Sequence, residues 1–361
     1  MSENPINQAG TAGTAGTAGS AGSAVKERQS VSPQISVAPM MDWTDRHCRY
    51  FLRGFSPRVL LYTEMITAEA LLRGNAARLL RYAPEEQPLA LQLGGSEPAR
   101  LAAAARLGEQ AGYCEINLNC GCPSDRVHAG AFGACLMAAP ARVADCVAAM
   151  RAAVTIPVTV KMRIGIIDKT DPRTVRQRLD QFDATDYARL VAFTAAASAA
   201  GCTRFIVHAR QAVLGGLSPK DNREVPPLRP AIVRQLIADF PALEFVLNGG
   251  LRTAGEVTEA LSWCAGAMLG REAYHRPYIL SELHVQLYAD SWRRPPEEEI
   301  LERMAIYAGR ELAGGEPLAA ITRHMFGLYS GRPGAREFRQ RLSLGVREPG
   351  AGAALLRAVA L

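Results

Sequence analysis

The chain has 361 residues, of which 48% are hydrophobic and 21% charged, and its formal net charge is +6 at neutral pH. This composition is typical of a globular protein with a large apolar core and excludes a disordered or fibrous chain. No run reaches the roughly 20 apolar residues of a membrane span, and the N-terminus lacks a signal-peptide pattern. We therefore expect a cytoplasmic protein that does not enter the membrane.

Residues 1–33 include a TAGTAGTAG repeat without any large apolar side chain. Such a segment cannot offset its own ordering entropy, so we expect a disordered tail. From residue 34 onwards, apolar runs alternate with helical stretches rich in Ala, Leu and Arg. Eight runs predict strands: ISVAPMM (35–41), VLLYTEMI (59–66), LALQLGG (89–95), CEINLNCG (114–121), IPVTVKMRIG (156–165), RFIVHAR (204–210), EFVLNGG (244–250) and AMLGRE (267–272).

These runs do not alternate strictly, as is typical of parallel strands that are buried on both faces. Eight strand–helix units in residues 34–290 predict an α/β fold, a (β/α)8 TIM barrel. A doubly wound sheet is the other option, but no GxGxxG follows the first strand. Residues 166–188 form a charged insertion, either a rim loop or a short helix pair. Residues 291–361 predict a small all-α domain, with nine arginines and no lysine from Leu301 to the end.

Glycines and polar residues gather at the C-terminal strand ends, where barrel active sites lie. Asn248, Gly249 and Gly250 end the seventh strand, and Gly270 and Arg271 end the eighth. Loops at these positions commonly bind phosphate through backbone N–H groups, so we expect a phosphorylated cofactor or substrate. Two ordinary glycine turns would also explain the pattern.

Three further side chains at strand ends are poor turn formers. Lys161 lies in the apolar run VTVKM, where a buried ammonium needs an anion or an electron-rich ring as its partner. Gln92 and His208 end strands that we predict to be neighbours, and both could donate to the same ring. The alternative for His208 is a histidine satisfied within the core.

The eight cysteines include no Cys-x-x-Cys pair, so neither a metal site nor a redox dithiol is expected. Cys122 follows the fourth strand, and Pro123 and Ser124 are predicted to start the next helix. An unperturbed thiol is mostly protonated near neutral pH, so Cys122 could donate a proton to carbon or act as a nucleophile. Cys120 could share its strand face, and Cys135 is expected to pack in a helix.

A series of motifs follows in order from about residue 35 to about residue 345: VAPMMDWTDRHCRYF, LLYTEM, LALQLGG, EINLNCGCPSDRV, GAFGACLM, VTVKMRIG, FIVHAR, GLSPKDNREVPPL, LNGG, LGREAY and ITRHMFGLYSGRPGAREFR. Together they resemble the tRNA-dihydrouridine synthases, and among these the bacterial DusA-type subfamily. The resemblance implies a barrel that holds FMN at its C-terminal mouth, NADPH as the reductant, and a helical domain that binds tRNA.

The resemblance also implies roles for individual residues. FMN would be held by Pro39, Met40, Met41, Gln92, Lys161, His208, Asn248, Gly249, Gly250, Gly270 and Arg271. The uracil and the tRNA would be contacted by Asn119, Arg210, Lys220, Arg223, Arg336 and Arg339. Cys122 matches the family's catalytic cysteine, which implies that a hydride passes from flavin N5 to uracil C6 and a proton from Cys122 to C5.

The expected activity is therefore reduction of uridine to dihydrouridine in the D loop of tRNA, at positions 20 and 20a, by a monomer with no obligate protein partner. One alternative is an FMN-dependent barrel enzyme that reduces a small pyrimidine or another unsaturated ring. Another is a tRNA-binding chaperone without catalysis. Three features depart from the family: the repeat tail, the length of the 166–188 segment, and Cys120, which could place a second thiol near the site.

Overall fold

The computed structural model describes residues 34–124, 130–168, 175–215 and 217–361. The predicted disordered tail, residues 1–33, lies outside the described residues. So do residues 125–129, where the helix predicted to start at Pro123 would continue.

Eight parallel strands of the described residues close into a barrel, which confirms the predicted fold class. In order around the barrel they are β2 (Leu60–Tyr62), β1 (Gln34–Val37), β11 (Gly266–Leu269), β10 (Glu244–Asn248), β8 (Arg204–His208), β6 (Val158–Arg163), β5 (Glu115–Cys120) and β4 (Leu89–Gly94). Pairing of β2 with β4 closes the circle. Each of the eight predicted runs overlaps one of these strands; β1 and β11 begin one residue before their runs, and the second run ends at the first residue of the short strand β3 (Ile66–Thr67).

Helices surround the barrel strands. They are α1 (Arg46–Arg53), α2 (Ala68–Arg73), α3 (Ala76–Leu79), α4 (Pro98–Gln110), α5 (Pro140–Ala153), α6 (Val175–Asp180), α7 (Ala184–Ala199), α8 (Pro230–Asp239), α9 (Ala254–Leu261), α10 (Arg271–His275) and α11 (Tyr278–Leu287). Proline occupies the first position of α4, α5 and α8. Its fixed φ suits a helix start, and its missing N–H is not needed there.

Side-chain alternation along the strands separates two apolar layers, because successive residues point to opposite faces. Leu91, Leu118 and Val160 belong to the main core between the strands and the helices. Tyr62, Ala90, Ile206, Val246 and Met268 belong to a smaller cluster that fills part of the barrel interior. The remaining inward positions of the strands carry the polar residues of the candidate site.

The C-terminal region is helical, as predicted. It contains α12 (Glu297–Ala313), α13 (Leu318–Thr322), α14 (Ala335–Gly345) and α15 (Ala354–Ala358). Its contacts with α1 are extensive: Tyr307 stacks on Tyr50 with 3.9 Å between ring centroids, and Arg323 pairs with Asp45 at 2.6 Å. A division into two domains at residue 290 stays a prediction.

The 166–188 insertion contains a short strand and helices in its described part. Strand β7 (Ile166–Ile167) pairs with β9 (Ala212–Val213) in a separate two-stranded sheet. Helix α6 and the start of α7 follow, joined by a buried ion pair between Arg178 and Asp186 at 2.7 Å. Of the two expected forms, the short helix pair fits this segment, although residues 169–174 lie outside the described residues. Among the described helices, none is long and apolar enough to cross a membrane.

Candidate active site

The strand register brings the predicted rim residues of four strands together. Asn119 on β5 pairs with Lys161 on β6, and His208 on β8 pairs with Asn248 on β10. Gln92 lies on β4, beside β5, so that β5 and β6 separate it from β8. The prediction that Gln92 and His208 end neighbouring strands is therefore wrong. The fourth and fifth predicted runs lie between them in the chain, and the barrel keeps its strands in chain order, so the sequence itself already separated Gln92 from His208 by two strands.

The Lys161 side chain extends from β6 past the end of β8 and contacts Asn248 on β10. Its Nζ donates to Asn248 Oδ1 at 3.1 Å, and the Asn248 Nδ2 donates to the Met268 carbonyl at 2.8 Å, which fixes the orientation of the amide. Burial, and to a lesser extent the charge of nearby Arg163, lower the pKa of Lys161 to about 7, with Cys122 acting in the opposite direction. The Cys122 thiol is thus within electrostatic reach of an ammonium that titrates near neutral pH.

His208 is a neutral imidazole in this setting. Burial lowers its pKa well below the ordinary value, and the positive charges of Arg163, Lys161 and Arg210 act in the same direction. A neutral imidazole carries one donor and one acceptor nitrogen. His208 can therefore hydrogen-bond a heteroaromatic ring without adding a charge.

Asn119 anchors the loop that carries Cys122. The backbone N–H groups of Gly121 and Cys122 donate to Asn119 Oδ1 at 3.1 and 3.0 Å, and Asn119 Nδ2 donates to Gln92 Oε1 at 2.7 Å. Cys122 is half-buried, and its Sγ lies 3.5 Å from Ser124 Oγ. The structure thus brings together Gln92, Asn119 and Cys122 at one side of the rim.

The other two candidate cysteines do not share this position. Cys120 is fully buried in the core between strands and helices, where burial and the neighbouring Cys146 and Cys202 raise its pKa well above the ordinary value. The expectation of a second thiol beside Cys122 is therefore wrong. Cys120 is the last residue of β5 and faces the outer core, opposite to Asn119, and Cys122 lies beyond the strand, where the two-residue alternation no longer applies. Cys135 lies in the 3-10 turn Gly133–Ala138, with Sγ 3.0 Å from the Phe132 carbonyl.

The predicted phosphate-binding residues lie at the ends of β10 and β11. Gly249 and Gly250 have φ values of +104° and +78°, which residues with a side chain rarely adopt. A Cβ at Gly249 would lie 2.5 Å from His208 Cδ2, so the backbone approaches His208 closely. A Cβ at Gly270 would have no heavy atom within 4 Å, and the next residue, Arg271, begins α10 and pairs with Glu224 at 2.6 Å.

The segment after β1 carries the three other predicted flavin contacts. Pro39 and Met40 are partly buried, and Met40 packs against the apolar cluster inside the barrel. Its backbone N–H donates to Thr44 Oγ1 at 2.8 Å. Met41 is 56% exposed, which leaves its side chain available for a ligand.

The predicted tRNA-binding residues occupy two separate elements. Arg210 follows β8 and donates to the Glu224 and Pro226 carbonyls, while Lys220 and Arg223 are exposed in the same segment. Two more arginines are exposed on α14 of the helical region: Arg336 and Arg339. The structure therefore places one group beside the rim and the other on the C-terminal helices.

Arg163 was missed in the sequence analysis although it lies two residues after Lys161, on the same strand face. It is buried, and it donates to the carbonyls of Gly121 at 3.2 Å, Gln211 at 3.3 Å and Asn222 at 2.9 Å. Burial, with a smaller contribution from Arg210 and against the opposing effect of Cys122, lowers its pKa to about 9. The alternation of strand faces was the signal that could have identified it.

In the described ranges no group of three or more His, Cys, Asp and Glu side chains could hold a metal ion. The chemistry available at the rim is thus that of a thiol, an ammonium with a lowered pKa, a neutral imidazole and amide groups. Glycines and Arg271 beside them provide room and charge for a phosphate.

Comparison with known proteins identifies the family to which this chain belongs. The model of the family described as Dihydrouridine synthase (Dus) matches residues 36–360. The chain is 53% identical to a tRNA-dihydrouridine(20/20a) synthase of Pseudomonas syringae pv. tomato over 89% of its own length and 91% of the relative's. The proteins with this name from Pseudomonas aeruginosa and Synechocystis sp. are 53% and 50% identical, over 88% and 91% of this chain and 92% and 93% of theirs. The chain therefore belongs to the dihydrouridine synthase family, and within it to the subfamily of the tRNA-dihydrouridine(20/20a) synthases.

Proposed function

We propose that this chain reduces uridine to 5,6-dihydrouridine in the D loop of tRNA, at positions 20 and 20a, with FMN as its prosthetic group and NADPH as the reductant. The names of its relatives support the reaction and the substrate. The observation that carries the proposal is the position of Cys122 at the barrel rim, on a loop anchored by Asn119 and within electrostatic reach of Lys161.

The residues of the rim fit a flavin mononucleotide. Lys161 and His208 offer nitrogen atoms to a polar heteroaromatic ring, and Met41 offers an exposed apolar side chain. At Gly270 the space that a Cβ would occupy is open, and the Arg271 guanidinium follows directly. A terminal phosphate and a flavin ring thus have matching groups at adjacent strand ends.

We assign the remaining flavin contacts by position. Pro39 and Met40 would border the ring from the end of β1, and Gln92 from β4. Asn248, Gly249 and Gly250 would face the phosphate or the ribityl chain. When bound, FMN would supply the hydride that uracil C6 accepts, and NADPH would supply its electrons.

The protein's own part in the reaction is to orient the uracil and deliver a proton. The Cys122 thiol would give its proton to uracil C5, on a carbon that becomes basic as C6 is reduced. Lys161 and the second N–H of Asn119 Nδ2 would donate to uracil oxygen atoms and stabilise the negative charge that develops there. Arg163 would hold the Cys122 loop through the Gly121 carbonyl.

Binding of tRNA would use the exposed cations. Lys220, Arg223, Arg336 and Arg339 would contact backbone phosphates, and Arg210 would border the uracil. The target uridine has to leave its stack to reach a rim residue such as Cys122, at a cost of a few kcal/mol. Phosphate contacts supply binding energy that does not depend on sequence, and this energy offsets the unstacking.

A single preparation tests the proposal. The purified chain should be yellow and release FMN on denaturation, and with NADPH it should convert uridine in tRNA from a strain that lacks the enzyme. Mass analysis of the digested tRNA should show dihydrouridine at positions 20 and 20a. Reduction of free uridine or another small ring at a comparable rate, with no change in tRNA, would favour the small-substrate alternative instead.

A further inference from the structure

A line of hydrogen bonds runs through the barrel interior below the rim. It begins at the carboxylate of Glu115, near the start of β5. Thr159 Oγ1 on β6 donates to Glu115 Oε1 at 2.7 Å, and Asn117 Nδ2 on β5 donates to Thr159 Oγ1 at 2.8 Å. The Tyr62 hydroxyl donates to the same Glu115 Oε1 at 2.5 Å, as a branch, and Arg204 Nη1 lies 3.6 Å from Glu115 Oε2.

The line continues upwards to the rim without interruption. Gln92 Nε2 donates to Asn117 Oδ1 at 2.8 Å, and Asn119 Nδ2 donates to Gln92 Oε1 at 2.7 Å. It ends where the backbone N–H groups of Gly121 and Cys122 donate to Asn119 Oδ1. Every donor along the line thus points away from Cys122 and towards Glu115.

Both ends of the line require this direction. At the rim, only the oxygen of the Asn119 amide can accept the hydrogen bonds from two backbone N–H groups. The Asn119 Nδ2 therefore points towards Gln92. At the lower end, Glu115 Oε1 accepts two hydroxyl donors, so Thr159 donates downwards and accepts from Asn117. Rotating the side-chain amide of Gln92 or Asn117 by half a turn would place a donor opposite a donor at one neighbour and an acceptor opposite an acceptor at the other.

Burial makes such a mismatch costly. Gln92, Asn117, Thr159 and Glu115 are each at most 2% exposed, so water does not replace a lost partner. Chains of hydrogen bonds in a medium of low dielectric constant also strengthen one another. The orientation of the rim amides is therefore tied to the hydroxyl and the carboxylate beneath them.

We infer that Thr159, with Asn117 and Glu115, is a positioning residue that fixes the side-chain amides of Gln92 and Asn119 and thereby the loop of Cys122. None of the three needs to touch a substrate or a cofactor. The effect of these three residues on catalysis rests on the proposed function, in which Gln92 and Asn119 face the flavin and the uracil. Their effect on the Cys122 loop is independent of the proposed function.

Three substitutions separate this inference from a general structural role. Thr159→Val keeps the shape but removes the hydroxyl that links Asn117 to Glu115. Thr159→Ser keeps the hydroxyl. Tyr62→Phe removes an equally buried hydrogen bond to the same Glu115 oxygen, but one that lies on the branch and does not lead to the rim.

The first measurement is hydrogen–deuterium exchange of residues 119–124 in the FMN-free protein. Thr159→Val should speed exchange of the Gly121 and Cys122 amides about tenfold, the equivalent of one net hydrogen bond. Thr159→Ser and Tyr62→Phe should exchange there like the parent chain, even if Tyr62→Phe unfolds at a lower temperature. Equal exchange in all four proteins would overturn the inference, whatever the enzyme's activity.

The second measurement uses the FMN-loaded protein. Thr159→Val should shift the visible flavin absorption bands and lower kcat with tRNA about tenfold, and Thr159→Ser should restore both. A parent protein that binds no FMN would refute the proposed function, while a faster exchange in Thr159→Val would still support the positioning role. An FMN-loaded Thr159→Val protein with the parent's spectrum, kcat and exchange would refute the positioning role and leave the proposed function standing.

Discussion

The Lys161 ammonium donates a hydrogen bond to Asn248 Oδ1 at 3.1 Å, although β8 lies between their strands. The contact joins the residue proposed to face the flavin ring to the strand end proposed to face its phosphate. It also leaves Lys161 with a neutral partner in place of a carboxylate, which is why burial can lower its pKa to about 7.

Above pH 7, the binding of FMN should be accompanied by the uptake of a proton at Lys161. In the FMN-free chain Lys161 loses its proton as the pH rises through about 7, whereas electron-rich atoms of a bound ring favour the ammonium and raise its pKa. The affinity for FMN should therefore fall as the pH rises above 7. Titration calorimetry in two buffers of different ionisation enthalpy measures the uptake. Lys161→Met should abolish it; the same uptake in this variant would contradict the assignment.

Gly249→Ala should weaken FMN binding by about tenfold or more, because the new Cβ would displace the His208 imidazole and its hydrogen bond to the ring. The left-handed φ costs roughly 1–2 kcal/mol of fold stability in addition. Gly315→Ala is the matched control: its φ is +86°, yet its Cβ would meet no heavy atom within 4 Å. Both variants should unfold at lower temperature. Fluorescence titration of FMN should show a loss of affinity for Gly249→Ala alone, and an equal loss in both would refute the close approach as its cause.

The exposed arginines of α14 should bind the backbone phosphates of tRNA. Replacing Arg336 and Arg339 by Gln should weaken tRNA binding and reduce the slope of log K against log salt by about 1.4–1.8, as expected for two lost phosphate contacts. Arg341→Gln provides the control on the same helix, since Arg341 is exposed and pairs with Glu337. Filter binding across a salt series measures the slopes. A double variant with the parent's slope would place the tRNA elsewhere.

Asp45 should link the barrel to the helical region in a pH-dependent way. It caps α1 through the N–H groups of His47 and Cys48 and pairs with Arg323 and His324. Burial would raise its pKa, but the hydrogen bonds and charge of His324, together with Cys48 N–H and Arg323, outweigh this and lower it strongly. A carboxyl with a lowered pKa stabilises the fold above its unfolded value of about 4, and this contribution is lost as the pH falls towards the folded value.

Asp45→Asn keeps a capping oxygen and removes the charge. It should lower the free energy of unfolding at pH 7 by about 1.5–3 kcal/mol, the range for hydrogen bonds to a charged group. The difference in the free energy of unfolding between the variant and the parent should become smaller as the pH falls from 5 to 3. Urea unfolding of both proteins at pH 7, 5 and 3 measures it. A difference that stays constant would exclude the Asp45 carboxylate as its source.

Much of this fold was predictable because parallel barrel strands are apolar on both faces and end in polar residues. The positions of Lys161 and Asn248 at one rim followed from the same rule. The separation of Gln92 from His208 by two strands was predictable as well, because the fourth and fifth runs lie between theirs in the chain; the prediction that their strands are neighbours did not follow from this order. The surroundings of Cys120, by contrast, needed the strand bounds, which decide the face to which its side chain points.

The polar interior was the part that sequence reasoning missed. Glu115, Asn117 and Thr159 stand in apolar runs, and each is satisfied by a residue on another strand. Tyr62 reaches Glu115 from 53 positions away in the chain. No local pattern shows such a pairing, although Glu115, Asn117 and Asn119 alternate along one strand face, a pattern from which polar side chains inside the barrel could have been predicted.

The most direct test of the central claim is the rate at which tRNA reoxidises the reduced, FMN-loaded enzyme without oxygen, followed by flavin absorbance. With tRNA that lacks dihydrouridine, Cys122→Ala should retain its FMN but react about 10²–10⁴ times more slowly than the parent, as expected for loss of a general acid. Cys135→Ala, which removes another half-buried thiol, should react at the parent's rate. A Cys122→Ala protein that reacts as fast as the parent would contradict the account.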